Sequence, residues 1–393
     1  MVLIGALLFF ILAYYYRRMV LMSFLFIIYA LSFVATFLLQ VTEGGYDVSP
    51  GSFIYLLFIL LLSLIPFYGR MDVSTIHSND ALVTIARLFS FFLVPATIYY
   101  GYYGILTFTT VDLTYARADN ITLLPADIFN TVFSFFSTLY FIPMFLYYVF
   151  YREGKYPILR NTMLFSTLSF PLLTLCYSGR DGLIYWGMNM IVFYLLFRSG
   201  MSKQTRNKIR LILIFLSLLA ALVFLTISEA RFSHREGGLS HGLLSYLGMQ
   251  SHHFSVAYGS DFLQGRGSLF PGWKQLLGIK SEAYSIYDYA AHGMIEEYNV
   301  FSFYVKTLMT GYGKFGAIAI TLIIGLIIRR FQVNYIKRLN IFDFIVVITL
   351  FQIPMNGVFY YRQGIGKGDV IYTLFLAGLL FFRYLKNGKA PRN

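Results

Sequence analysis

Five ionisable residues follow one of the long apolar runs of the chain. The segment SEARFSHREGG supplies Glu229, Arg231, His234, Arg235 and Glu236. Ionisable groups at membrane depth are costly and usually face a partner or a cavity, so this cluster is a candidate functional site. The alternative interpretation is a solvated helix end whose long side chains reach the headgroup layer and pair with one another.

A second candidate site lies in a short connection between two apolar runs. In SGRDGLIYW, residues 178–186, Arg180 and Asp181 stand between two glycines. The connection is too short to leave the membrane interface, so we expect Arg180 to meet the region of Arg231 across the helix bundle. The alternative is an ordinary Arg–Asp turn in which the glycines provide backbone freedom.

Arginine chemistry connects these candidates. A guanidinium stays charged at any accessible pH, and its fork of N–H donors binds two phosphate oxygens at once. Arg266, between glycines in QGRGSLFPGW, is a third arginine expected on the same side of the membrane. Two or three arginines that converge at one membrane face indicate a site for a lipid diphosphate.

The histidines are concentrated, but they do not indicate a metal site. Five of the six fall within residues 229–300, and we count His253 and His292 among the candidate substrate-binding residues. The single cysteine, Cys176, leaves a structural zinc site without its sulfur ligands. The neighbouring His252 and His253 diverge by about 100° on a helix. We therefore predict no bound metal.

Composition identifies the kind of chain that carries these residues. Of 393 residues, 58% are hydrophobic and 12% are charged, whereas roughly 25% are charged in a soluble domain. Basic residues between apolar segments act as topology signals, so the net charge of +13 does not indicate a nucleic-acid partner. We predict a single transmembrane domain over residues 1–393.

The apolar runs predict an all-α bundle of about eleven transmembrane helices. A membrane helix needs about 20 mostly apolar residues, and a barrel strand would alternate where these runs are continuous. The predicted spans are residues 2–16, 19–40, 52–68, 82–108, 128–150, 158–177, 182–197, 211–228, 301–328, 341–360 and 370–385.

The basic residues orient this bundle, because they are enriched on the cytoplasmic side. With the amino terminus outside, 20 of the 31 basic residues fall on the cytoplasmic side, together with four acids. The carboxyl terminus is then cytoplasmic. Residues 229–300 form a large outer loop, and its apolar residues at helical spacing predict short helices that lie along the membrane.

The chain resembles the bacterial O-antigen polymerases, the Wzy-type polymerases of oligosaccharide repeat units. The resemblance rests on SGRDGLIYW at a span boundary and on GRGSLFPGWKQLLGIK in a large outer loop late in the chain. It also rests on NVFSFYVKTLMTGYGKFGAIAITLIIGLIIRR, which runs into the next span. Lys314 stands in that stretch where the family commonly has an acid, and this departure leaves the role of position 314 open.

The resemblance implies a metal-independent glycosyltransferase of the GT-C type that uses no cofactor. A growing glycan on undecaprenyl diphosphate is the donor, and the non-reducing end of a second undecaprenyl-diphosphate-linked repeat unit is the acceptor. The new bond forms at the periplasmic face of the bacterial inner membrane, and undecaprenyl diphosphate leaves. Membrane lipid and a chain-length regulator protein are the further partners implied.

This reaction gives the candidate residues roles. Charge grows on the leaving diphosphate, and one preorganised donor stabilises it by about 2.7 to 4 kcal/mol. Arg231 is the first candidate for the diphosphate, with Arg180 and Arg235 assisting. His234 and Glu229 are the candidate bases for the acceptor hydroxyl, a role typically worth a factor of about 10² to 10⁴. The other candidate substrate-binding residues are Asp181, Arg266, His253 and His292.

Two other functions fit the same spans and cations. An O-antigen ligase passes glycan from the same donor to lipid A. A transporter of lipid-linked oligosaccharide makes no bond, and its arginines would line a path through the membrane. Because the candidate arginines gather at one face, the pattern favours an enzyme.

Overall fold

All regular secondary structure in the described part of the chain is helical. The structure, a computed structural model, describes residues 1–111, 123–232, 238–261, 263, 271–279, 302–338, 340–359 and 368–388. No strand occurs among these residues, so the predicted all-α class is confirmed for them. Their α-helices, in chain order, are α1 (Val2–Tyr15), α2 (Val20–Glu43), α3 (Pro50–Leu64), α4 (Asp80–Thr110), α5 (Ile128–Thr138), α6 (Phe141–Glu153), α7 (Pro157–Thr167), α8 (Ser169–Cys176), α9 (Asp181–Phe197), α10 (Lys203–Phe232), α11 (Gly238–Gly259), α12 (Pro271–Leu276), α13 (Tyr304–Arg338), α14 (Ile341–Asn356) and α15 (Gly368–Gly388).

Several of these helices have the length and composition of membrane spans. Among the described residues, α2, α4, α10 and α13 qualify by themselves, and α3 qualifies together with the 3-10 turn Ile65–Phe67 that follows it. The pair α5 and α6, bent by 53°, forms a sixth candidate span. The chain is therefore a membrane protein with five or six helices of the spanning type in its described part.

The count of eleven spans stays a prediction. Each of the eleven predicted segments coincides with a helix or a broken helix pair. Several of these helices are short, however: α9 has 17 residues and α14 has 16. At 1.5 Å per residue such helices extend about 25 Å, which is less than the roughly 30 Å of bilayer hydrocarbon.

Helix α10 has the surface of a helix in lipid. Only 11% of its most apolar stretch of 18 residues is buried within the protein. Leu211, Phe215, Leu218 and Leu222 are each about two thirds exposed. Ile227 and Ser228, near the end of the helix, are fully buried. Helix α10 thus leaves most of its apolar surface uncovered by the protein, and it is buried near residue 228 and at Ile209.

The chain divides into two compact units. The first unit comprises residues 1–71 and 243–393, and the second comprises residues 72–242. In the first unit α1 pairs with α2, while α13 packs against α3 and α14. In the second unit α4 packs against α7 and α8, and α9 packs against α6, α8 and α10. The single domain over residues 1–393 stays a prediction.

Residues 229–300 differ in part from the expected outer loop of short surface helices. Helix α10 continues to Phe232, and α11, with 22 residues, is longer than expected. A Cβ atom on Gly248 of α11 would lie 2.6 Å from the carbonyl oxygen of Ala35 on α2, and Thr36 Oγ1 donates to the Gly248 carbonyl at 2.7 Å. Small and hydroxyl residues let membrane helices approach closely, which explains why α11 packs into the first unit.

An ion pair joins α14 and α15 within the first unit. Asp343 is fully buried, and its Oδ1 lies 2.9 Å from Nε of Arg383, whose side chain is 21% exposed. A carboxylate that loses its cation in such a site stays buried with an uncompensated charge. The arginine, in contrast, can extend to the headgroup layer.

The ion pair predicts an asymmetric response to mutation. We expect Arg383→Met to destabilise the first unit by about 3 to 5 kcal/mol, because Asp343 is left buried and charged. Asp343→Asn should cost less, and Asp343→Asn/Arg383→Met should melt close to Asp343→Asn alone. Thermal unfolding of the four proteins in one detergent measures this. Equal losses from the two single changes would contradict it.

Candidate functional site

The SGRDG connection is a tight helix-to-helix turn in the second unit. The N–H of Ser178 donates to the Leu175 carbonyl at 2.8 Å, and the N–H of Gly179 donates to the Thr174 carbonyl at 2.7 Å. Ser178 has a φ of 51°. These features define a Schellman motif, in which glycine usually occupies the left-handed position. The chain therefore reverses at once, and α9 begins at Asp181.

Helices α8 and α9 touch at this turn. A Cβ atom added to Gly182 would lie 2.0 Å from Thr174 Oγ1 and 2.8 Å from Thr174 Cγ2. No side chain larger than hydrogen fits there without movement of one helix. Gly182 thus sets the distance between α8 and α9 next to Arg180.

Arg180 is buried and held against α10. Its side chain is only 3% exposed, and its Nη1 donates to Ser228 Oγ at 2.6 Å. The Ser228 hydroxyl donates its hydrogen bond to the Phe224 carbonyl at 2.6 Å, so a lone pair of its oxygen accepts the hydrogen bond from Arg180. The guanidinium carbon also lies 5.2 Å from the centre of the Phe224 ring, within cation–π range. Arg180 is therefore fixed in one position.

The contact brings Arg180 close to the first ionisable cluster along α10. Positions three apart on a helix share a face, whereas adjacent positions diverge by about 100°. Position 231 of the α10 backbone therefore lies on the face that carries Ser228, one turn further along. Glu229 is exposed. The side chain of Arg231 lies outside the described residues, so convergence of the two guanidinium groups stays a prediction.

The other predicted site residues are distributed over the chain. Asp181 is 4% exposed and opens α9, where the helix dipole favours a negative charge. His253, which is 3% exposed, lies on α11 in the first unit, and its ring centre is 5.5 Å from that of His252. The predicted residues that lie outside the described part of the chain are His234, Arg235, Arg266 and His292.

Polar side chains that were not among the predicted site residues hold α9 in place. Asn189 Nδ2 donates to the Tyr140 hydroxyl at 2.6 Å, and Trp186 Nε1 donates to Thr167 Oγ1 at 2.9 Å. These bonds tie α9 to Tyr140, at the start of α6, and to α7. Asn189 stands inside the apolar run WGMNMIV, and a polar residue in such a run usually bonds to a neighbouring helix. That signal was present in the sequence.

Lys314, a cation of the first unit, lies at a break in α13. The backbone leaves helical geometry at Gly313, where φ is 74°, and Lys314 follows. Lys314 Nζ lies 3.9 Å from the centre of the Tyr258 ring, and its carbonyl accepts from the Tyr55 hydroxyl at 2.5 Å. The Lys314 ammonium group therefore lies over an aromatic ring.

Asp369 is a further polar residue that was not among the predicted site residues. Its carboxylate oxygens accept from the N–H groups of Gly272 and Trp273 at 3.2 Å each, at the start of α12. Asp369 is 4% exposed and belongs to α15. The aspartate thereby fixes the PGWKQL segment to α15 across almost 100 residues of sequence.

No relative is found for this chain. Neither the family models, nor the curated proteins, nor the solved structures compared with it give a match. The polymerase resemblance is thus carried by the quoted residues alone. In the described part of the chain, no three His, Cys, Asp or Glu side chains are grouped so as to hold a metal ion. Metal independence of the activity stays a prediction.

The contact between Gly182 and Thr174 generates a prediction. Gly182→Ala should destabilise the protein by about 1 to 3 kcal/mol, because the new methyl group overpacks the α8–α9 contact. Thr174→Ala in the same chain should restore part of the loss, since it removes the two nearest atoms. Melting temperatures in detergent measure both effects.

Gly187 provides the matched control on the same helix. A Cβ atom there meets nothing within 4 Å, so Gly187→Ala should be neutral or stabilising by up to about 1 kcal/mol. Equal behaviour of the two alanine variants would refute the close packing of the turn.

Proposed function

We propose that this membrane protein is a glycosyltransferase that polymerises lipid-linked oligosaccharide repeat units of O-antigen or capsule. The growing glycan on undecaprenyl diphosphate is the donor, and an incoming undecaprenyl-diphosphate-linked unit is the acceptor. One observation carries the proposal: a buried arginine, Arg180, is bonded to α10 one turn before position 231. The resemblance at SGRDGLIYW supports it independently of that geometry.

The proposed role of Arg180 follows from electrostatics. A leaving diphosphate gains negative charge as the glycosidic bond breaks. Donors that are already oriented in a poorly hydrated site stabilise this charge without paying for reorganisation. Arg180 meets these conditions because it is buried and its guanidinium is held by Ser228 and Phe224. Arg231 and Arg235 are the proposed additional cations.

The proposed reaction is a single displacement. The acceptor hydroxyl oxygen bonds to the anomeric carbon of the donor glycan, while the bond from that carbon to the phosphate oxygen breaks. The electron pair leaves with undecaprenyl diphosphate. The hydroxyl proton passes to a base, for which His234 and Glu229 are the candidates. The acceptor lipid then carries the lengthened glycan.

The proposed setting is the bacterial inner membrane with eleven spans, the amino terminus periplasmic and the carboxyl terminus cytoplasmic. The distribution of basic residues supports this orientation. Helices α9 and α10 are neighbours joined by a short connection at residues 198–202. The start of α9 and the end of α10 therefore belong to the same membrane face, which in this orientation is the periplasmic one.

A reconstituted assay with one synthetic undecaprenyl-diphosphate repeat unit tests the function. The protein should produce a ladder of longer lipid-linked glycans. Arg180→Gln and Arg231→Ala should each lower the rate by about 10²-fold or more, because each removes one donor to the diphosphate. Arg180→Lys should stay impaired, since a lysine keeps the charge but lacks the planar fork.

Arg210→Ala is the matched control, because Arg210 lies on α10 but is exposed near the opposite end of that helix. It should polymerise at the normal rate. Full-length polymer from both Arg180→Gln and Arg231→Ala would refute the residue assignment. Product only after addition of lipid A would identify a ligase, and movement of labelled lipid without bond formation would identify a transporter.

A further inference from the structure

An open groove runs between α4 and α7 in the second unit, on helices that the proposed chemistry does not use. Its volume is about 710 Å³, within the range of roughly 300 to 1,000 Å³ typical of ligand sites. Val83 and Pro95 mark its limits along α4, a distance of about 18 Å at 1.5 Å per residue. One leaflet of hydrocarbon is about 15 Å thick. The groove therefore matches the length of a lipid chain in one leaflet.

The walls of the groove are mostly apolar and carry a single cation. Phe91, Val94 and Leu159 contribute to the walls, and Arg87 is the only charged residue among those that line it. Phe91 is 73% exposed and Ile158, on the α7 side, is 83% exposed, so the groove opens to the surroundings of the helices. These features fit an occupant that combines a hydrocarbon chain with one negative group.

The position of Arg87 along α4 fits a phospholipid headgroup. Helix α4 has 31 residues and extends about 46 Å, so about 8 Å remains beyond the hydrocarbon at each end if the helix is centred. The backbone of Arg87 lies about 10 Å from the start of α4. Its long side chain reaches the level of lipid phosphates from there.

We propose that this groove binds one anionic phospholipid of the bilayer, with an acyl chain against Phe91, Val94 and Leu159 and the phosphate on Arg87. Charge complementarity selects this occupant, because basic pockets between membrane helices bind acidic headgroups. A neutral phospholipid fills the apolar walls equally well but brings no net charge to Arg87. The inference is independent of the glycosyltransferase proposal.

Native mass spectrometry of the purified full-length protein tests the site. Phosphatidylglycerol and phosphatidylcholine with identical chains are titrated into delipidated protein. We expect one phosphatidylglycerol to bind about fivefold more tightly than phosphatidylcholine, the factor that corresponds to about 1 kcal/mol per basic residue. Arg87→Gln should abolish this preference and leave the affinity for phosphatidylcholine unchanged.

Two further variants make the test specific. Val94→Trp should fill the groove and weaken the binding of both lipids, with an unchanged melting temperature. Arg210→Gln is the matched control, because Arg210 is exposed and lies seven residues from the start of α10, as Arg87 does from the start of α4. It should keep the lipid preference. Retained preference in Arg87→Gln, equal loss in Arg210→Gln, or normal binding by a folded Val94→Trp would overturn the proposal.

Discussion

The hydrogen bond from Arg180 to Ser228 is the interaction on which the account of the second unit depends. A buried guanidinium is costly to desolvate, and its bonds to fixed partners determine where its charge is available. Ser228 lies with Ile227 in a fully buried stretch near the end of α10. The bond therefore connects the α8–α9 turn to the helix end that carries the ionisable cluster, and the charge of Arg180 has a defined place.

The turn provides the rigidity that this bond requires. The Schellman motif at Ser178 and the contact between Gly182 and Thr174 fix the start of α9. Asn189 fixes the middle of the same helix against Tyr140. Helix α10 has little such support, because most of its apolar surface is not covered by the protein. The start of α9, next to Arg180, is thus held more firmly than α10. A preorganised anion site requires an arginine that is fixed in this way.

The apolar runs predicted the positions of the helices, because apolar residues are removed from water when a membrane protein folds. They could not predict the breaks at residues 139–140 and at Leu168, since the hydropathy there is continuous. The short SGRDG connection predicted that Arg180 meets the region of Arg231; the structure places Arg180 against Ser228, and its meeting with Arg231 stays a prediction. The hydrogen bond from the start of α12 to Asp369 on α15 could not be predicted, because a contact across almost 100 residues has no local sequence pattern. The side chain of Arg231 lies outside the described residues, and its role rests on sequence alone.

Equilibrium binding of undecaprenyl diphosphate to the purified protein tests the central claim most directly, with undecaprenol as the uncharged comparison. Arg180→Gln should weaken binding of the diphosphate by about tenfold or more, because a hydrogen bond to a charged group contributes about 1.5 to 3 kcal/mol. Binding of undecaprenol should not change, and Ser228→Ala should have a smaller effect in the same direction. An unaltered affinity for the diphosphate in a folded Arg180→Gln protein would contradict the account.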